Sequence, residues 1–168
     1  MLSRSWSAHR PHYDFLIIGS GYGGAIAAAR LATAKLSPRP SICVLERGRE
    51  WPTGSFPDSV PEILRERRGP LNPLGLYDLL TFPDISVIKG SGLGGTSLVN
   101  ANVAIVPESD VFRLADWPAS LSLDTLRPYY DRARQVLAAA PHPNARGHAK
   151  VQTLDRRARE IGAEAFPL

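Results

Sequence analysis

The stretch Asp14-Phe15-Leu16-Ile17-Ile18-Gly19-Ser20-Gly21-Tyr22-Gly23-Gly24 leads through an alanine-rich run to Ser41-Ile42-Cys43-Val44-Leu45-Glu46, and it decides the fold. Phe15–Ile18 is a continuous apolar run, the pattern of a parallel strand buried on both faces. Gly19, Gly21 and Gly24 give Gly-x-Gly-x-x-Gly. The first glycine permits the tight turn out of the strand, the second lets backbone approach a pyrophosphate, and the third lets helix pack on strand. Alanine is the best helix former, so a helix is expected over 25–36, with Pro38 and Pro40 beyond it. Ile42–Leu45 then reads as a second apolar strand. Glu46 closes it about 20 residues after the last glycine, where an acid can take hydrogen bonds from an adenosine ribose. Strand, glycine turn, helix, strand and acid together describe a dinucleotide site, with the helix N-terminus facing the pyrophosphate.

The chain has 168 residues, 43% hydrophobic and 21% charged, which suits a globular domain with a real core. No apolar run approaches the ~20 residues of a membrane span. Residues 1–12 are basic and polar without a signal-peptide core, and read as a flexible tail. On that basis the expected location is cytoplasmic. Cys43 is the single cysteine, and mid-strand it reads as a small buried hydrophobe. The net charge is +4, from 20 basic and 16 acidic residues. The densest basic clusters, 65–68 and 156–159, carry no interleaved aromatics, and the first includes Glu66. They read as solvated faces, so no nucleic-acid partner is expected.

Beyond Glu46, residues 48–84 read as a loop-rich excursion rich in proline. A short helix is expected over 60–67, with Ser59 as N-cap and Pro61 in its first turn. Ile85, Val87 and Ile88 suggest a strand. After it comes Lys89-Gly90-Ser91-Gly92-Leu93-Gly94-Gly95-Thr96-Ser97-Leu98-Val99-Asn100-Ala101-Asn102-Val103. Four glycines in six residues would destroy a helix or strand. They suit a backbone that comes very close to a ligand and presents N–H groups as an anion nest. Thr96, Ser97, Asn100 and Asn102 add hydroxyl and amide groups for a polar ring edge. Further on, Ser122 is expected to cap a short turn over 123–127, and Pro128 to start a helix to about Ala140 with Tyr129, Ala133, Val136 and Leu137 buried. A last helix is expected over 149–161, ended by Gly162. These helices read as packing elements.

Five motifs occur in consistent order from Tyr13 to about Ala140. They are Gly19-Ser20-Gly21-Tyr22-Gly23-Gly24, Leu45-Glu46-Arg47-Gly48, the Gly90–Leu98 nest, Asp116-Trp117-Pro118 and Leu126-x-Pro128-Tyr129-Tyr130. Together they resemble the N-terminal portion of glucose–methanol–choline oxidoreductases, in the cholesterol-oxidase-like branch. The resemblance implies a Rossmann-like α/β fold, a FAD-binding βαβ domain left incomplete, with appended helices. It implies FAD as cofactor. By position it implies Gly19, Gly21, Tyr22, Gly23, Gly24 and Glu46 on the adenosine and pyrophosphate side, and Gly95, Thr96, Asn100, Ala101, Asn102 and Val103 along the flavin. Thr96 stands where a third glycine is common, and Ala101-Asn102 where sterol oxidases often carry two glycines.

In such proteins the substrate domain and the catalytic histidine lie far C-terminal to the first nest. His9, His12, His142 and His148 match no catalytic position, and neither a catalytic nor a metal-binding residue is expected in this chain. The implied function is the cofactor half of an alcohol or sterol oxidoreductase, inactive alone and completed by a further C-terminal polypeptide. Two other readings stay open. One is a non-catalytic dinucleotide-binding module; the other is an NAD(P)-dependent reductase fragment, in which Arg47 would meet a 2′-phosphate. An unpaired sheet edge and exposed apolar surface predict marginal solubility.

Overall fold

Phe15–Ile18 and Ile42–Leu45 form strands β1 and β2, paired in parallel with Phe15 opposite Ile42 and Ile18 opposite Leu45. Between them runs helix α1, Tyr22–Thr33. The structure, a computed structural model, describes residues 1–101 and 103–166. They fall into two units, one of residues 1–101 and one of residues 103–166.

In the first unit the strand boundaries coincide with the apolar runs. Helix α1 begins three residues earlier than its alanine content suggests, because Gly23 and Gly24 stand in its first turn, where the backbone N–H groups need no intrahelical partner. Burial of β1 on both faces does not hold: Leu16 is 57% and Ile18 84% exposed. Among the described residues the sheet has two strands, so nothing covers the outer edge and face of β1. Helix α2, Val60–Arg65, starts after Ser59 and carries Pro61 in its first turn. The Ser59 side chain makes no capping bond.

Tyr77–Thr81 (β3) and Ser86–Gly90 (β4) form an antiparallel hairpin with Leu79 opposite Ile88. Within the proline-rich 48–84 region β3 gave no strand pattern, since Tyr-Asp-Leu-Leu-Thr does not alternate polar with apolar. The hairpin delivers Ser91 and the glycines after it. Ser91 donates its backbone N–H to Leu76 O at 2.8 Å, and its hydroxyl accepts from the Arg68 guanidinium at 2.8 Å. Leu76 is completely buried and Trp51 nearly so, and these two side chains anchor the unit.

The second unit holds α3, Leu123–Leu137, and α4, Ala149–Glu160. Ser122 caps α3 by accepting from the Thr125 N–H at 3.2 Å. The cap sets one continuous helix, and Pro128 lies inside it instead of starting it. Proline's fixed φ fits the helix, at the cost of the bond its missing N–H would make to Asp124 O. The helix ends at Ala138, in the left-handed region at φ 49°. The expected buried stripe is exposed: Tyr129, Val136 and Leu137 all stand more than half open to solvent. Helix α4 ends as expected, with Gly162 at φ 70° and the Ala163 N–H returning to Ala158 O. None of the described helices is long and apolar enough to cross a membrane.

Candidate functional site

The turn out of β1 closes with the Gly19 N–H on Leu45 O at 2.7 Å, which fixes the first glycine loop beside the end of β2. Gly24 then sits so close beneath that loop that a Cβ there would lie 1.9 Å from Gly19 O and 3.3 Å from the Ile17 side chain. Only glycine allows this approach. It aims the free N–H groups at the start of α1 toward the space beyond the loop.

Glu46, at the end of β2, turns back onto the loop. Its Oε2 accepts from the Ser20 N–H at 3.0 Å and the Ser20 hydroxyl at 2.6 Å, and its Oε1 from the Gly48 N–H at 2.9 Å. Partial burial pushes its carboxyl up. The bonds from Ser20, and from the Gly48 and Arg47 backbone, outweigh that and hold it below the ordinary value of 4.5. A carboxylate held low contributes stability above its ordinary value and loses it as the pH falls through the lowered one. The protein is therefore expected to soften below about pH 4.5. The Glu46→Gln variant should be weaker at pH 7 by about 1 kcal/mol, a charge-assisted bond discounted for solvent. It should also show a flatter acid limb. Thermal unfolding across pH 3–7 (roughly the carboxylate range) checks both, and an unchanged limb in the variant would remove Glu46 from the account.

The second glycine loop meets this arrangement directly. The Gly94 N–H donates to Ser20 Oγ at 2.9 Å, and Gly92 O lies 3.4 Å from the same hydroxyl. The Leu93 N–H reaches Arg49 O at 3.0 Å. A Cβ on Gly95 would stand 2.9 Å from Gly21 Cα, and one on Gly48 would stand 2.4 Å from Gly92 N. The two loops and the turn after β2 thus touch backbone to backbone. Gly94 and Gly95 take φ of 115° and 60°, and a 3₁₀ turn, Gly95–Leu98, follows them. From its C-terminal side Asn100 donates to the Tyr22 hydroxyl at the head of α1.

Ten of the twelve residues singled out in the sequence lie in this unit: Gly19, Gly21, Tyr22, Gly23, Gly24, Glu46, Gly95, Thr96, Asn100 and Ala101. Gly21 with Gly95 and Tyr22 with Asn100 bring the two groups into contact. Thr96 and Ala101 are exposed, so neither side chain obstructs the loop. Val103 belongs to the second unit and is half exposed. Asn102 lies outside the described residues. Three participants escaped the sequence reading. Ser20, in the first glycine loop, is 6% exposed and bonds to the second loop and the acid; its signal was a hydroxyl between two glycines. Gly48 was visible only as part of a motif. Trp51 is buried beside Gly92 under the Arg49 guanidinium, which lies 3.8 Å over its ring.

Arg47 forms an ion pair with Asp78 at 2.7 Å, and Lys89 reaches the same carboxylate oxygen at 3.3 Å. Glu50, two residues on from Gly48, takes the Leu2 and Ser3 N–H groups and the Ser3 hydroxyl. Those bonds, the Ser3 N–H foremost, draw its carboxyl down to about 2.

No family model matches the chain. It is similar to a cholesterol oxidase of Acinetobacter baumannii, 30% identical over 127 residues, 74% of this chain and 22% of that one. A cholesterol oxidase of Mycobacterium tuberculosis is 30% identical over 141 residues, 80% of this chain and 23% of that one. An uncharacterized GMC-type oxidoreductase of the same organism is 31% identical over 158 residues, 92% of this chain and 24% of that one. The chain therefore spans about a quarter of the length of the curated relatives it matches.

Proposed function

Because the chain belongs to the glucose–methanol–choline oxidoreductase family, we propose that it is the FAD-binding portion of a flavin-dependent oxidoreductase acting on CH–OH donors, alcohols or sterols. The reading is carried by one observation: the Ser20 hydroxyl joins the first glycine loop, the acid after β2 and the second glycine loop in a single hydrogen-bonded junction. A dinucleotide is long enough to need both loops, and the junction places them side by side.

The residues fit such a group. Gly24 leaves room for nothing but backbone under the first loop, so the start of α1 faces outward to hold a pyrophosphate. Glu46 keeps a charged carboxylate for the adenosine ribose. Gly94, Gly95 and the turn after them offer a smooth backbone wall for a flat ring and keep water off its face. Bound there, FAD would supply the hydride acceptor for oxidation of the alcohol carbon. We assign no proton-accepting base to this chain. It belongs with the substrate domain, on further sequence of the same polypeptide or on a partner chain. For an NADP-type cofactor the natural contact would be Arg47, and that guanidinium is committed to Asp78.

The test is visible absorption of the purified chain after incubation with FAD and desalting. A retained flavin band supports the proposal, and retention of NAD in its place overturns it. A variant sharpens the assignment. A Cβ on Gly23, the second residue of α1, would meet nothing within 4 Å. Gly23→Ala is therefore expected to keep or raise the melting temperature, since alanine outranks glycine in a helix by up to ~1 kcal/mol. Flavin affinity should nevertheless fall about tenfold as a methyl enters the pyrophosphate space. Unchanged affinity would take Gly23 out of the site.

A further inference from the structure

We propose that the Ser20 hydroxyl is a two-position proton switch that reports occupation of Glu46 by a ribose diol to the second glycine loop. The inference rests on the dinucleotide reading above and deepens it. A serine hydroxyl has one proton to donate. Two acceptors stand in reach: Glu46 Oε2 at 2.6 Å and Gly92 O at 3.4 Å. In the structure the proton belongs to the nearer, charged one, while the oxygen accepts from the Gly94 N–H at 2.9 Å.

The lone pairs of Glu46 make this position conditional. A carboxylate oxygen offers about two acceptor sites. Oε2 has both filled, by the Ser20 N–H and hydroxyl, while Oε1 accepts from the Gly48 N–H. A vicinal diol that bonds to both oxygens must therefore displace a Ser20 contact on Oε2. The backbone N–H cannot turn away. The hydroxyl can, and its other acceptor is Gly92 O. Ser20 then donates to Gly92 while still accepting from Gly94, and holds that loop at two points instead of one. Ser20 acts here as a positioning residue: it touches no cofactor and transmits the state of one side of the site to the other. At 6% exposure it is shielded from water that would otherwise take either bond.

The experiment uses the full chain and follows amide exchange at Gly94 by NMR. The probes are ADP and an ADP analogue lacking both the 2′- and 3′-hydroxyls, each at saturation. ADP is expected to slow exchange at Gly94 by roughly two- to tenfold, the worth of one added hydrogen bond. The dideoxy analogue should bind without that slowing, which separates the switch from general stabilisation by a ligand. In Ser20→Ala the ADP response should vanish. Equal slowing by both nucleotides, or a response that survives in Ser20→Ala, overturns the switch alone. Should the variant fail to fold, the two nucleotides on the unaltered chain still decide. Failure of ADP to bind the unaltered chain overturns the dinucleotide reading and the switch with it.

Discussion

Gly24→Ala is expected to abolish flavin retention and to lower the melting temperature by more than about 10 °C, the shift that ~3 kcal/mol produces in a domain of this size. The added Cβ would lie 1.9 Å from Gly19 O and 3.0 Å from Gly19 C. Neither contact can relax by rotating a side chain, because both partners are backbone. Ordinary overpacking costs ~1–3 kcal/mol, and relief here would require α1 to lift away from the turn, so the upper end or beyond is the expectation. Lifting α1 would also redirect the N–H groups that face the pyrophosphate space. Stability and binding should therefore fall together, in contrast to Gly23→Ala one position earlier. Circular dichroism melts and flavin absorbance on the two variants side by side make the comparison. A Gly24→Ala protein that melts like the parent would mean the helix does not pack as described.

Trp51→Ala carries the second large effect. The indole is buried, stacks beneath the Arg49 guanidinium and lies at 5.9 Å, tilted, from the Phe56 ring. It also walls the second loop, since its Cδ1 would stand 2.7 Å from a Cβ on Gly92. Truncation is expected to cost about 3–5 kcal/mol through lost burial and the cavity left behind, and to loosen Gly92 where it approaches Ser20. Trp51→Phe should cost less than about 1.5 kcal/mol. The ring and its cation–π partner persist, and the indole N–H, which has no hydrogen-bond partner among the described residues, is removed along with its desolvation penalty. Urea unfolding of the two variants separates ring packing from hydrogen bonding. If phenylalanine proved as damaging as alanine, the indole N–H would have a partner that matters.

The sequence made β1, α1 and β2 readable because each has a local cause: an apolar run, an alanine run, a glycine whose space is taken by its own turn. What it concealed is non-local. Ser20 looks like any spacer between glycines until Gly94 is brought within 2.9 Å of it. Gly48 looks like turn punctuation until Gly92 lies against it. β3 carries no alternation of its own and becomes a strand through its pairing with β4. Pro128 misled for a different reason. Its preference for a helix start was weaker than the Ser122 cap already placed upstream. Exposure could not be read either, because an apolar strand announces what it would bury and not whether a cover is present: Ile18 is 84% exposed.

The Ser20–Gly94 bond joins residues 74 positions apart, whereas the hairpin of β3 and β4 closes over a few residues. Contacts so distant in sequence form later than local pairings, because the chain must pay the closure entropy before they reward it. The junction is therefore expected to assemble after the hairpin. A nucleotide mixed with refolding chain should be captured only after the hairpin has formed, so flavin quenching in stopped flow should lag the far-ultraviolet signal. Quenching that kept pace with that signal would mean the first loop captures the ligand before the second arrives.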